Sequence, residues 1–204
     1  MPVPRISTAE SGWAARAVSL LPARSTPVRV VAVEGRSGSG KSTVAGHLRA
    51  ALAACGEPVH VLTMEDLYPG WDGLARAPHL LRDWVLAPLR RREPAAWHRY
   101  DWADGRFAPE WSRLPAEVAA GGTLVVEGCG SGATRVRDLT DALVWVAAPG
   151  AERARRLDAR GDAAVYAPHR DRWARQEEAF YARHRPRAHA RLVVDNSAAA
   201  GPAR

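Results

Sequence analysis

A glycine-rich string, Gly35-Arg36-Ser37-Gly38-Ser39-Gly40-Lys41-Ser42-Thr43, lies between two segments of opposite character and restricts this chain more than any other feature. Before it, Val28-Arg29-Val30-Val31-Ala32-Val33 is short, β-branched and apolar, the pattern of a buried strand. After it, residues 42–54 carry apolar side chains at helical spacing. A strand, a glycine turn and a helix in that order point to an α/β fold. The string also fits G-x-x-x-x-G-K-[ST], the phosphate-binding P-loop, in the strand-to-helix setting that motif requires. Gly35, Gly38 and Gly40 free the backbone to turn its amides inward, and the helix N-terminus adds partial positive charge. A nucleoside triphosphate is the expected ligand, held by Gly35, Ser37, Gly38, Ser39, Gly40, Lys41, Ser42 and Thr43.

Lysine and arginine together number 29, and Lys41 is the only lysine. Arginine is broad and planar, whereas lysine puts a compact charge on a flexible stem that reaches the β- and γ-phosphates. Ser42 is placed to set its hydroxyl on Mg²⁺.

At 204 residues the chain suits one α/β domain with a sizeable core. Pro2 and Pro4 break the N-terminus, so no signal peptide is expected, and no apolar run reaches the length of a membrane span. Cys55 and Cys129 are too few for a disulfide framework, which makes the cytoplasm the expected location. The net charge of +7 is spread along the chain without interleaved stacking aromatics. That pattern argues against a nucleic-acid partner and suits a protein that handles a polyanion.

Strands are predicted at residues 28–33, 59–63, 123–127, 142–146 and 191–195, with helices at about 80–92, 150–159 and 169–183. Ser7-Thr8-Ala9-Glu10 reads as a capping box opening a first helix to about Leu21. One domain over 1–204 is expected, with an acceptor-binding insertion at about 66–108, a lid at about 153–172 and a loose tail at 197–204. Strands alternating with helices imply a parallel sheet, and ligands bind beyond its carboxyl ends.

Those carboxyl ends carry the candidate chemistry. Strand 59–63 leads into Glu65-Asp66, and strand 123–127 ends on Glu127. Asp66 is the candidate to accept or orient a hydroxyl proton, with Glu65 able to share or take that role. Glu127 can hold Mg²⁺ through one of the ion's waters. Arg153, Arg156 and Arg160 share a helix face, and Arg156 and Arg160 lie nearer the following loop, where a guanidinium can meet a migrating phosphoryl group. Tyr68, Trp71, Asp72, Tyr100, Asp101, Trp102 and Arg106 offer flat faces with polar tips for a nucleoside or another polyol-bearing ring.

Taken in order, the P-loop, Glu65-Asp66-Leu67-Tyr68, Tyr100-Asp101-Trp102, Val125-Val126-Glu127-Gly128 and Arg153-Ala154-Arg155-Arg156-Leu157 resemble the uridine kinase and phosphoribulokinase branch of P-loop kinases. The resemblance runs from about Val28 to Asn196. It implies a three-layer P-loop NTPase sandwich on a mostly parallel five-stranded sheet, nucleoside-monophosphate-kinase-like. It further implies ATP with Mg²⁺, an Asp66 base, an Mg²⁺-linked Glu127, catalytic Lys41, Arg156 and Arg160, and a hydroxyl-bearing acceptor such as uridine. Tyr68, Tyr100, Asp101 and Arg106 are the residues expected to bind it. The chain departs from the family at Pro69-Gly70-Trp71-Asp72-Gly73-Leu74 and in the lid at Gly161-Asp162. A nucleotide-gated regulatory or nucleic-acid-associated ATPase, without a small-molecule acceptor, is the alternative.

Overall fold

The computed structural model describes residues 2–24 and 26–197. Of the expected tail, all but Ser197 lies outside the described residues. Strands β1 (Arg5–Ser7), β2 (Arg29–Glu34), β3 (Val59–Thr63), β6 (Thr123–Glu127), β7 (Ala142–Ala147) and β8 (Leu192–Asp195) form one sheet in the order β1-β8-β7-β2-β6-β3. All of its ladders are parallel. β2 and β6 are buried along their whole length, which explains why they read as continuous apolar runs rather than alternating ones.

Alternate residues of β2 separate two cores. Val31 and Val33 join Val44, Leu48 and Leu52 of α2 (Lys41–Ala54) and Trp13 of α1 (Trp13–Ser19) on one face. Val30 and Ala32 join Leu81, Trp173 and Phe180 on the other. That second layer contains a helical stretch formed by α3 (Ala77–Leu80), a π-helical segment at Leu81–Leu86 and α4 (Ala87–Arg90). The wide segment runs up to Ala87-Pro88, where proline has no N–H and its ring presses on the carbonyl four residues back. The short α5 (Ala116–Gly121) precedes β6, and α8 (Arg170–His184) lies across the P-loop side of this layer. The result is the three-layer P-loop sandwich expected from the sequence.

The structure corrects two expectations about elements. The sheet has six strands rather than five, because the segment expected to open a helix begins as β1. Ser7 and Glu10 do pair, with the Ser7 amide donating to Glu10 Oε1 at 3.1 Å, but the pair closes a turn. Gly12, with φ of 69°, delays α1 to Trp13. The middle segment, for which only a helix at about 80–92 is predicted, is the second. It contains an antiparallel hairpin of β4 (Ala96–Asp101) and β5 (Arg106–Arg113), with a register shift between His98 and Tyr100.

The lid segment continues α6 (Gly150–Asp158) through α7 (Ala163–Tyr166) into α8. Among the described residues, no helix is long and apolar enough to cross a membrane.

Ile6 pairs with Val194 and is 1% exposed, so it anchors the added strand in the α1/α2 core. Ile6→Ala should cost about 2–5 kcal/mol of unfolding free energy in urea titration. A loss below about 0.5 kcal/mol, the range of a neutral surface change, would remove β1 from the cooperative fold.

Candidate active site

β2 ends on Glu34, and the chain then turns through Gly35–Gly40 into α2. All three glycines of this turn are blocked to a side chain, Gly35 by the Val146 carbonyl. Gly38 and Gly40 have φ of 77° and 89°, and a Cβ would collide with the Arg153 carbonyl at the first and with Asn196 Nδ2 at the second. The loop is therefore wrapped on its outer side by α6 and by the residue after β8. Arg153 Nη1 donates to Ser37 O at 3.2 Å, Arg156 Nη1 to Ser39 O at 3.3 Å, and Asn196 Nδ2 to Ser39 O at 2.8 Å.

Two buried carboxylates support the loop from beneath. Glu34 Oε1 accepts from the Gly35 amide at 3.1 Å and the Tyr181 hydroxyl at 3.0 Å. Its Oε2 accepts from the Gly130 and Gly132 amides at 2.8 and 2.9 Å. Glu177, from α8, accepts from the Ser37 amide at 2.8 Å and its hydroxyl at 2.6 Å, and from Cys129 Sγ at 3.0 Å. Burial raises the Glu34 pKa from 4.5 to about 7, against the lowering effect of Gly132, Lys41, Gly35 and Tyr181. Burial likewise pushes the Cys129 thiol well above its ordinary range, so the thiol stays protonated at neutral pH.

Lys41 Nζ donates to Arg36 O at 3.3 Å inside the loop. Burial works against its charge, but the acidic groups around it, Glu177, Glu127 and Glu34 among them, outweigh that effect and hold its pKa above the ordinary lysine value. Ser42 Oγ donates to Glu127 Oε1 at 3.2 Å, bringing the first turn of α2 to the end of β6. Among the described residues no group of three or more His, Cys, Asp or Glu is arranged to hold a metal alone. A hydroxyl and one carboxylate, both oxygen donors, nevertheless suit Mg²⁺, which keeps waters and substrate phosphate oxygens in its remaining positions.

A cleft of about 620 Å³ opens above these groups. Lys41, Ser42, Thr43, Glu127, Arg156 and Arg160 line it, as do Ser37, Gly38 and Gly40; Gly35 and Ser39 lie behind its wall. Arg160 forms two hydrogen bonds to Asp162, at 2.7 and 2.6 Å, and approaches Glu65 at 4.0 Å.

Of the adjacent acids after β3, Glu65 lines the cleft and Asp66 does not. Asp66 turns to the hairpin, accepting from Arg99 Nε at 3.1 Å and Trp97 Nε1 at 3.4 Å. Both sit on the 3₁₀ turn Met64–Asp66, where neighbouring side chains diverge by about 120°. The Glu65 side chain is accessible from the cleft, yet the surrounding protein desolvates it enough to raise its pKa, opposed by Arg160.

The expected acceptor residues divide in the same way. Tyr68 lines the cleft, whereas Tyr100, Asp101 and Arg106 stay in the hairpin. Asp101 Oδ1 accepts from the Ala103 and Asp104 amides across the turn, because an Asp at that position closes its own backbone. Arg106 pairs with Asp104 at 3.2 Å, and the Tyr100 ring packs on Trp102 and Phe107. Sequence reasoning missed Glu34 and Asn196. Glu34 had a visible signal, an acid at the end of an apolar strand. Asn196 had none, since it reaches the loop only through the β7–β8 pairing.

A family model described as an AAA domain matches residues 31–179. No curated protein matches the chain. Among solved structures, a possible uridine kinase from Bacillus stearothermophilus superposes with a TM-score of 0.65 at 17% identity, over 89% of this chain and 95% of that one. A candidate fructose transport system kinase from Silicibacter sp. TM1040 gives 0.54 at 23% identity, over 89% and 98%. At such identities the likeness is one of fold.

Glu34 links the site to stability. Its folded pKa of about 7 lies above the ordinary 4.5, so between these values the folded chain binds the extra proton. Its contribution is therefore complete below pH 4.5 and lost as pH rises towards 7. Urea unfolding should show a wild-type advantage over Glu34→Gln that shrinks by roughly 3 kcal/mol across that window. An advantage that grows with pH would reverse the assignment.

Proposed function

The chain belongs to the AAA domain family, and on that premise we propose that it is an ATP-dependent kinase transferring the γ-phosphoryl group to a hydroxyl of a small molecule. The observation that carries this reading is one cleft lined by the P-loop Lys41, the Ser42–Glu127 oxygen pair, two arginines and the carboxylate of Glu65. A nucleotide-gated switch needs the first of these groups. A carboxylate aimed into the same cleft, on the wall away from the loop, is what an attacking hydroxyl requires.

In the proposed reaction the loop amides and Lys41 hold the β- and γ-phosphates of ATP. Glu65 accepts the proton of the acceptor hydroxyl while its oxygen bonds to the γ-phosphorus. The bond from that phosphorus to the bridging oxygen breaks, and its electron pair leaves on ADP. Lys41, Arg156 and Arg160 compensate the negative charge on the phosphoryl oxygens. Mg²⁺, held through Ser42 and Glu127 when bound, supplies further charge compensation to the phosphates. Asp66, proposed from the sequence as the base, is given a positioning role instead, fixing the hairpin through Arg99 and Trp97. The segment 153–172 is proposed as the lid, bringing Arg160 over the phosphates while Arg156, held against the loop, already lines the cleft. The hairpin segment within 66–108 is proposed as the acceptor side, reaching the cleft through Tyr68, Trp71 and Trp102.

A nucleoside such as uridine, the acceptor expected from the sequence, would find flat walls here. The side chains nominated for its polar groups, Tyr100, Asp101 and Arg106, lie elsewhere. The proposal therefore extends to the hydroxyl and stops short of the nucleoside.

The two acids separate experimentally. Glu65→Gln should lower kcat about 10²–10⁴-fold while leaving Mg·ATP affinity, measured by calorimetry, within about threefold. Asp66→Asn should change kcat by less than about tenfold. The opposite ranking would return the base to Asp66. In the wild type, the acid limb of the kcat profile should lie above the ordinary carboxylate value of 4.5, because protonation of Glu65 removes the acceptor for the hydroxyl proton. Lys41→Ala should abolish transfer and weaken Mg·ATP binding; retention of both would remove the P-loop from the mechanism.

A further inference from the structure

The acceptor half of the cleft is walled by five aromatic rings, and three of them have their polar tips occupied by the protein itself. The Tyr68 hydroxyl donates to Cys129 O at 2.8 Å. Trp102 Nε1 donates to Glu65 O at 3.2 Å, and Trp173 Nε1 to Ser37 Oγ at 3.1 Å. Other polar groups of this half are committed too. Arg160 and Asp162 hold each other through two hydrogen bonds, and Thr63 Oγ1 accepts from the Glu65 amide at 3.3 Å, which leaves its O–H alone to donate. Glu65 must stay available for the hydroxyl proton.

Most of the remaining surface on this side is flat and apolar. Trp71 lies 4.9 Å from Trp102 and 5.9 Å from Tyr166, ring centre to ring centre, and all three rings line the cleft. Trp102 and Val165 are 39% and 65% exposed, and both belong to this same lining. A sugar or other polyol entering here would give up water around several hydroxyls and regain few partners, the penalty attached to unmatched polar groups. A planar ring loses little and gains stacking and edge contacts with tryptophan and tyrosine.

From this lining we infer that the phosphoryl acceptor is a planar aromatic or heteroaromatic alcohol, its ring against Trp71 and Trp102 and its single hydroxyl at Glu65, rather than a sugar or a polyol. The inference rests on the kinase reading above and narrows it. The transfer is the one already balanced: the aryl alcohol loses its proton to Glu65, gains the γ-phosphoryl group, and ADP leaves.

The test measures γ-labelled phosphoryl transfer from Mg·ATP to pyridinemethanols and benzyl alcohol, beside uridine, ribose and glucose, with Mg·ATP binding followed separately by calorimetry. The aryl alcohols should exceed the sugars and uridine at least tenfold in kcat/KM. Trp102→Ala, at a partly exposed position, should raise the aryl-alcohol KM at least tenfold with the ATP KM within threefold. Trp71→Ala should do the same if it folds, and Trp102→Ala decides the matter if it does not. Preference for uridine or a sugar would overturn the inference, as would Mg·ATP binding without transfer to any aryl alcohol, or an unchanged KM in Trp102→Ala. Absence of Mg·ATP binding would instead overturn the kinase reading beneath it.

Discussion

The site depends on burying two carboxylates beneath a loop that must present positive charge. Glu34 and Glu177 together accept from two P-loop amides, the Ser37 hydroxyl, two amides beyond β6, the Tyr181 hydroxyl and the Cys129 thiol. Burying such groups is costly, and only dense hydrogen bonding makes it tolerable. The same density joins β2, the loop after β6 and helix α8, three parts of the chain far apart in sequence. The acids also favour the charged form of Lys41 in a place where burial works against it. The loop is thereby shaped and kept positive before any phosphate arrives, so little of the binding energy goes into arranging it.

The arginines act on the other side of the loop. Arg153 and Arg156 grip outward-facing carbonyls of Ser37 and Ser39, which turns the N–H groups of the same two peptides, those of Gly38 and Gly40, the opposite way. A guanidinium suits this work because its fixed fork can bridge elements: Arg156 also donates to Asn196 O at 2.8 Å and to Glu152 at 2.8 Å. Helix α6 is therefore a brace for the loop as well as the start of the lid. Movement of the lid at Arg160, beyond the brace, can leave that grip intact.

The parts legible in the sequence were those set by local pattern and full burial. β3 and β6 have the expected limits, because a strand covered on both faces must be apolar throughout. The P-loop was legible because glycine positions and one lysine are chemical requirements. β1 was hidden: three residues become a strand only by pairing with β8, some 190 positions away, and Ser7-Glu10 carries a helix-start signature that the structure uses for a turn. The hairpin was hidden because its strands are largely exposed and bulged, leaving no clean alternation. Directions of side chains were less legible than positions. Glu65 and Asp66 were both visible as acids at the carboxyl end of a strand, but the sense of a single 3₁₀ turn decides which one faces the cleft.

The same distinction explains why the acceptor wall was only half readable. Aromatic residues followed by Asp and Arg suggested rings with polar tips, yet Asp101 and Arg106 flank a hairpin turn and satisfy its local demands. What reaches the cleft is the apolar remainder, Trp71 and Trp102, joined by Tyr166 and Trp173 from the lid side. Rings from both flanks of the cleft meet in tilted and edge-on contacts, with Trp71 between Trp102 on one side and Tyr166 and Trp173 on the other. An acceptor that lays a ring against this wall would exclude water from the reacting phosphoryl group, and with it the competing attack that turns a kinase into an ATPase. Recognition by a ring and protection from hydrolysis would then be one event.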